Sequence, residues 1–381
     1  MLIKPDLTRF AKIKVIGVGG GGGNAIASMI NSGTIKGVDF VVVNTDAQVL
    51  LTNPAPTKIQ IGEALTRGLG SGGDPEKGKQ AAEESAKKIE EKIVDADMVF
   101  IAAGMGGGTG TGASSVIADI AKKAGVLTVG VVTKPFSFEG TARSVVAEDG
   151  IAALKDKVDA LIVIPNQRIL ETVDKKVTLL EAFRMADSVL SASVQGISDL
   201  IVMPGLINRD FADVKSIMSN AGSALMGIGV GSGENRAGMA ARQAISSPLL
   251  ELTIDGARGV LFNIIGGADM TMTEVDEAAK IISSAADPDA RIIFGATIDE
   301  SLVDQIKITV IATGFDENRQ RLKELRFERN IPSPTVSSQM QNQSNQQTEE
   351  KPPEAPKEAQ STGYEDFGED FDIPSFMRRG K

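Results

Sequence analysis

The sequence predicts an α/β fold: a Rossmann-like parallel-sheet domain, a long central helix, a second α/β domain with a mixed sheet, and a disordered C-terminal tail. Three observations predict it. Short unbroken Val/Ile runs alternate with amphipathic segments over the first third of the chain, as expected for parallel strands buried on both faces. One apolar stripe at helical spacing runs through residues 179–201. From about Ile331 the chain turns to Pro, Gln, Ser and charge, with little to bury.

In chain order, "IKVIGV" (13–18) and "FVVVN" (40–44) read as strands, with a helix at 24–30 between them. Residues 81–94 read as one charged amphipathic helix, 97–103 as a strand, and 113–124 as a helix stopped by Gly125. "VLTVGVV" (126–132) and "ALIVIP" (160–165) are further strands. The capping box "TLLE" (178–181) then opens the central helix. Its stripe is Leu179, Phe183, Ala186, Leu190, Val194, Ile197 and Ile201. About 24 residues at 1.5 Å rise make roughly 36 Å, enough to join two domains. "NRDFAD" (208–213) opens another helix. Strands at 224–230, 260–265, 291–297 and 307–313 and helices at 235–245 and 273–285 complete the second domain.

The predicted organisation is an N-terminal extension (1–12), a nucleotide domain (13–177), the central helix (178–202), a C-terminal α/β domain (203–316), an extension (317–330), a disordered linker (331–365) and a terminal peptide (366–381). A length of 381 residues holds two domains with proper cores. No apolar run approaches the roughly 18 residues of a membrane span, and "MLIKPDLTRFAKIK" has no apolar signal-peptide core. A cytoplasmic location is therefore expected. With no Cys and no His, thiolate metal sites and Ser–His or Cys–His nucleophiles are excluded. A net charge of −10 argues against nucleic acid as a partner.

Two glycine-rich loops carry the chemistry. "GVGGGGGNA" (17–25) and "GMGGGTGTG" (104–112) each lie between a predicted strand and a predicted helix. Bare N–H groups at a helix N-terminus form a positive concavity suited to phosphate, and Thr109 and Thr111 add hydroxyl donors. One such loop is often a tight turn. Two in one sheet fit a triphosphate. Gly17, Gly19 and Gly22 also satisfy G-x-G-x-x-G, with Asp46 24 residues beyond Gly22, so an NAD-dependent oxidoreductase is the rival reading. Gly73-x-x-x-x-Gly78-Lys79 nearly matches a Walker A loop but has Gln80 where Ser or Thr would bind Mg²⁺.

"GGGTGTG" (106–112) resembles the tubulin signature. The surrounding "VNTDAQ", "TRGLGSGGDPEKG", "TKPFSFEG", "IPNQRIL", "LLEAFRMAD", "PGLINRDFAD" and the terminal "DIPSFMRR" are similar to the bacterial cell-division GTPases of the tubulin/FtsZ superfamily. The resemblance covers residues 13–315 and resumes at the tail.

It implies a GTPase domain in which Gly20, Gly21, Gly22 and Asn24 approach the phosphates and nucleoside. Gly104, Gly107, Gly108, Thr109 and Gly110 would cradle the β- and γ-phosphates. Ser71, Gly72 and Gly73 would sense the γ-phosphate, with Asp46 near the metal-bound phosphates. Thr133, Pro135, Glu139, Arg143 and Asn166 would face ribose and base. Phe183 and Asp187, i and i+4 on one helix face, are placed to stack on a purine and to accept from guanine; alternatively, Phe183 is plain core and Asp187 a solvated charge. Asp210 and Asp213 would, with Asn208, enter the GTP site of the next subunit and position the attacking water. As ordinary helix chemistry they are an N-cap and an N3 acid, which leaves a non-hydrolysing GTP-binding scaffold as a further alternative. Mg²⁺ and a monovalent cation, K⁺, would offset the charge. Arg209, Thr141 and Ala142 depart from the family pattern.

The resemblance further implies a head-to-tail homopolymer, assembled in the cytoplasm at the division site and held on the inner membrane face through adaptors, without direct insertion. The terminal peptide, from Asp372 through Ile373, Phe376 and Met377 to Arg378 and Arg379, is either an incidental tail or the adaptor-docking segment.

Overall fold

The computed structural model describes residues 11–171, 177–202, 210–247, 254–300 and 302–315. Asn208 and Arg209, residues 1–10, and the extension, linker and terminal peptide beyond residue 315 lie outside the described residues.

The Val/Ile runs form the strands expected of them: β1 (Ile13–Val18), β2 (Val38–Asn44), β4 (Met98–Gly104), β5 (Leu127–Lys134) and β6 (Ala160–Pro165). A short β3 (Thr57–Gln60) adds an edge. The helices between them are α1 (Gly19–Ser32), α2 (Ala47–Thr52), α3 (Glu63–Thr66), α4 (Pro75–Glu84), α5 (Ala86–Ile93), α6 (Thr109–Lys123), α7 (Thr141–Lys155) and α8 (Asn166–Glu171). The second half contributes α9 (Leu179–Val202), α10 (Phe211–Met218), β7 (Gly222–Ser232), α11 (Arg236–Ile245), β8 (Gly259–Gly266), α12 (Met272–Ala285), β9 (Arg291–Ile298) and β10 (Gln305–Thr313).

All ten strands form one sheet, in the order β3-β2-β1-β4-β5-β6-β7-β10-β8-β9. Pairing is parallel from β3 through β7; only β10 runs antiparallel, to β7 and β8. β6 and β7 join through three register pairs, Ala160↔Gly222, Leu161↔Ser223 and Ile162↔Ala224. One face of the β1–β6 region packs on α1, α9 and α10, the other on α4–α7. A third apolar cluster lies between β8, β10, α11 and α12.

Three local differences from the sequence reading have physical causes. The helix expected at 81–94 is two helices, because the Ser85 hydroxyl accepts from the buried Gly62 N–H (3.1 Å) and breaks the run. Asp74 and Pro75 start the first of them earlier, as N-cap and N1. α1 and α6 begin inside the glycine runs, where tertiary packing overrides glycine's weak helix propensity.

Arg236 is 5% exposed and ties the β8–α12 connection and the first turn of α12 to the β9–β10 loop. It pairs with Glu274 (2.6 Å), Asp269 (2.6 Å) and Asp304 (3.5 Å). Its hydrogen bond is the main cause that holds the Glu274 carboxyl down at about 2. A depressed carboxylate stabilises the fold above its unfolded value and loses that contribution as pH falls through the folded value. Arg236→Met should cost about 2–3 kcal/mol at pH 7 and remove the loss of stability between about pH 4.5 and pH 2. Urea unfolding across that range checks both.

Candidate functional site

The strand order reverses between β1 and β4: β2 and β3 extend to one side, β5 and β6 to the other. Ligands of open α/β sheets bind at such a switch point, beyond the strand C-termini. Both glycine loops sit there. β1 runs directly into α1, and β4 leads through 105–108 into α6. Neither helix carries a side-chain cap at its N-terminus. α2, α4, α10 and α12 are capped by Asp46, Asp74, Asp210 and Thr271. α3, α5, α7 and α11 are also without one; what sets α1 and α6 apart is that their first-turn amides lie at the switch point, where an anion can reach them.

The loops interlock because they lack side chains. A Cβ on Gly21 would lie 3.3 Å from the Gly104 Cα, and one on Gly19 2.7 Å from the Gly110 amide nitrogen. A Cβ on Gly110 would lie 2.8 Å from the Gly104 carbonyl oxygen. Gly22 faces β4, where a Cβ would strike the Ala102 carbonyl; it brings α1 onto the sheet and does not line the cavity. Gly108 is hemmed by the Ser71 hydroxyl and the Asp74 amide.

The two threonine hydroxyls are also engaged within the loops. The Thr109 hydroxyl bonds those of Thr45 (2.7 Å) and Ser71 (3.0 Å). The Thr111 hydroxyl accepts from the Gly106 N–H (2.9 Å). These bonds hold the loops in shape, beside the main-chain amides of the two helix starts. Beyond Ser71, Gly72 and Gly73 are exposed and adopt φ of +64° and +81°, a backbone that side chains disfavour. The near-Walker Gly78 packs inside α4 against the Gly108 carbonyl and forms no phosphate loop.

A cavity of about 360 Å³ opens beside the loops, within the roughly 300–1,000 Å³ of small-molecule sites. Gly20, Gly21, Asn24 and Gly104 from the glycine loops line it, with Thr133, Pro135, Glu139 and Arg143 from β5 to α7. Asn166 at the start of α8 and Phe183 and Asp187 of α9 line it as well. The Asn166 Oδ1 is buried with no hydrogen-bond partner among the described residues, an orphan acceptor that a ligand donor would satisfy. Glu139 accepts from the Phe136 N–H (2.9 Å) and pairs with Arg143 (2.7 Å), which fixes the guanidinium near Gly107.

The first turns of α9 overhang the cavity. Leu179 is 61% and Phe183 40% exposed, whereas Ala186, Leu190, Val194 and Ile197 are buried. The plain-core reading of Phe183 is therefore not what the packing shows. Its ring meets Phe136 edge-on at 5.3 Å and Phe138 at 6.4 Å. Burial pushes the Asp187 carboxyl up to about 6. Met105, Ala186 and Leu190 also line the cavity. The stripe signalled the last two as core; nothing in the sequence marked Met105.

Four predicted residues stand apart. Asp46 caps α2, its Oδ1 accepting from the Gln48 and Val49 amides (2.9 and 3.2 Å), and it does not line the cavity. Asp210 caps α10, accepting from the Asp213 N–H (2.8 Å), as helix chemistry alone predicts. α10 leads into the start of β7, beside the start of β6, and so toward the sheet edge opposite the cavity. The six residues of β6 separate these edges by roughly 20 Å. Asp210 and Asp213 line no part of the cavity, and Asn208 lies outside the described residues. Among the described residues no three His, Cys, Asp or Glu side chains converge as a metal site, and no helix is long and apolar enough to cross a membrane.

Two family models match the chain: "Tubulin/FtsZ family, GTPase domain" over residues 12–174, and "FtsZ family, C-terminal domain" over residues 222–316. A solved FtsZ dimer from M. jannaschii is 48% identical, with TM-score 0.77, over 81% of this chain and 89% of that chain. CetZ2 from Haloferax volcanii, solved as a GTPγS-bound protofilament, is 21% identical with TM-score 0.67, over 83% of this chain and 99% of that chain. CetZ1 from the same organism, a GDP-bound monomer, is 21% identical with TM-score 0.66, over 83% and 98%; the CetZ pair speak to the fold alone. By its matched domains and its identity to FtsZ, the chain belongs to the tubulin/FtsZ family of GTPases, among its FtsZ members.

Proposed function

We propose that this chain is a self-assembling GTPase subunit that polymerises head to tail and scaffolds the bacterial cytokinetic ring. One observation carries the reading. The cavity lies at one edge of the sheet, and the helix bearing Asp210 and Asp213 is anchored at the other. A chain that cannot bring these acids to its own nucleotide can bring them to its neighbour's. A head-to-tail contact that repeats with little rotation gives an open filament. The similar FtsZ was solved as a dimer and CetZ2 as a protofilament.

In this reading the uncapped first turns of α1 and α6, with Gly20, Gly21, Gly104, Gly107, Gly108, Thr109 and Gly110, grip the phosphates. Ser71, Gly72 and Gly73 lie over the γ-phosphate. Asn24, Thr133, Pro135, Glu139, Arg143 and Asn166 hold ribose and base. Phe183 stacks on the purine, and Asp187 accepts from guanine N1–H and its exocyclic amine. Mg²⁺, with K⁺ as a second cation, would supply charge neutralisation when bound beside the phosphates. Asp210 and Asp213 from the next subunit orient the attacking water, helped by Asn208. Phosphoryl transfer needs chiefly such positioning, so the absence of histidine is no obstacle. Loss of the γ-phosphate then weakens the junction. The division into a nucleotide domain (13–177), central helix (178–202) and C-terminal domain (203–316) is part of the proposal. So are adaptor docking through residues 372–379 and a cytoplasmic location at the division site. The nicotinamide alternative is set aside by the family.

Turnover per subunit should rise with protein concentration and level off once sedimentable polymer dominates, with GTP and not with ATP or NAD⁺. Phosphate release and sedimentation followed together provide the check. A flat concentration dependence across the assembly range would reject the shared site.

A further inference from the structure

The geometry points to Asp159 as a positioning residue for GTP hydrolysis: it fixes the helix that delivers Asp210 and Asp213 to the adjoining subunit. This rests on the shared-site reading above. Asp159 is a 9%-exposed carboxylate immediately before β6, far from the cavity lining. Its Oδ2 accepts from the Thr128 N–H (2.9 Å) at the start of β5, and its Oδ1 from the Asn220 N–H (3.3 Å) in the α10–β7 turn. Its main chain repeats the tie, donating to the Thr128 carbonyl (2.8 Å) and accepting from the Gly222 N–H (3.0 Å). One residue thus joins the nucleotide-side sheet to the middle of the turn that follows α10 and to the first residue of β7.

Asn220 (φ +51°) and Gly222 (φ +69°) are both left-handed, residue types that suit a tight turn there. α10 has eight residues, too few to be stable alone. Its N-cap bond from Asp213 to Asp210 is internal and anchors it to nothing else. Its orientation is set by the buried Val214, Ile217 and Met218, by the Thr313 hydroxyl on the Ile217 carbonyl (3.4 Å), and by Asp159 two residues past its end. Releasing Asp159 lets the helix swing about its apolar contacts and moves the acids at its far end most. Misplacement by about 1 Å at a reacting centre costs on the order of 100-fold, so partial release should cost about tenfold. The subunit's own nucleotide cavity, at the other edge of the sheet, is untouched. Asp159→Asn keeps the shape but turns an amide N–H₂ toward a backbone N–H, so one of the two ties is lost.

The test uses full-length subunits. Asp159→Asn is expected to lower kcat about tenfold at saturating GTP, with binding of a fluorescent GTP analogue to dilute subunits unchanged within about twofold. Asp159→Asn subunits are then mixed with Asp187→Ala subunits, which carry an intact α10 and a defective pocket. Turnover of the mixture should exceed the mean of the two alone several-fold, because mixed junctions pair a good pocket with a good α10. A merely destabilised Asp159→Asn chain loses analogue binding and gains nothing on mixing; that result, or wild-type kcat, overturns the assignment. Asp210→Ser is measured alongside. If Asp210→Ser turns over normally the shared-site reading itself fails, whereas a slow Asp210→Ser beside a normal Asp159→Asn sinks only the role given to Asp159.

Discussion

Asp210→Ala is expected to lower GTP turnover about 100-fold or more, the scale for removing a group that acts on charge at the reacting centre, while GTP binding and polymer formation persist. The structure supplies a control for the objection that Asp210 is only a cap. Its carboxylate does accept from the Asp213 N–H at 2.8 Å, and losing a cap costs about 1 kcal/mol. Serine caps helices about as well as aspartate but brings no charge. Asp210→Ser should therefore melt with the wild type and remain as slow as Asp210→Ala. Phosphate release, sedimentation and a thermal melt on the same preparation separate the two roles. Normal turnover of Asp210→Ser would reduce Asp210 to helix chemistry.

The second large effect concerns Asp187, for which one substitution should move two measurements in opposite directions. Burial pushes its carboxyl up to about 6, so the ionised form at neutral pH is held at a cost. A raised carboxyl pKa means the folded chain binds more protons than the unfolded one between about pH 4 and pH 6, so stability rises as pH falls through that window. Asp187→Asn, neutral at every pH, should stabilise the nucleotide-free protein at pH 7 by on the order of 1 kcal/mol, discounted for partial solvation. The same change should weaken GTP binding about 1,000-fold, because guanine offers two donors and the new amide can accept only on its oxygen. In the wild type, affinity should fall about tenfold per pH unit below 6 as the acceptor pair is protonated. Referencing each titration to Asp187→Asn at the same pH cancels the titration of the phosphates. A wild-type affinity that tracked the variant's from pH 7 to pH 5 would remove Asp187 from base recognition.

Much of this was legible in the sequence, for identifiable reasons. Strands β1, β4, β5 and β6, and β2 from Val41 on, are buried on both faces, so their Val/Ile runs announced them. The glycine loops were legible because close backbone approach leaves glycine little substitute. α7 went unseen because the face it buries is only Ala147, Gly150 and Leu154, too small for a hydrophobic period. The Ser85 break depends on Gly62, distant in sequence, as the ties of Thr109 depend on Thr45 and Ser71. Asp159 was invisible for the same reason: within "KVDALIV" it reads as a loop acid, and only strand pairing brings Thr128 and Asn220 to it. The separation of Asp210 and Asp213 from the cavity is likewise a property of strand order, which local pattern does not carry.

The uncapped starts of α1 and α6 determine which kinds of damage the phosphate grip tolerates. Truncating a side chain cannot remove a peptide dipole; damage comes directly from adding carbon where none fits, as at Gly21 or Gly110, and indirectly from losing the Thr109 or Thr111 hydroxyls that hold the loops. Peptide groups neither titrate near neutrality nor react with oxidants, and a chain without cysteine or histidine adds no such liability. On the protein's side, sensitivity to acidity in nucleotide capture is thereby concentrated at Asp187, and the peptide donors to the phosphates keep their charge state across a wide span of cellular conditions.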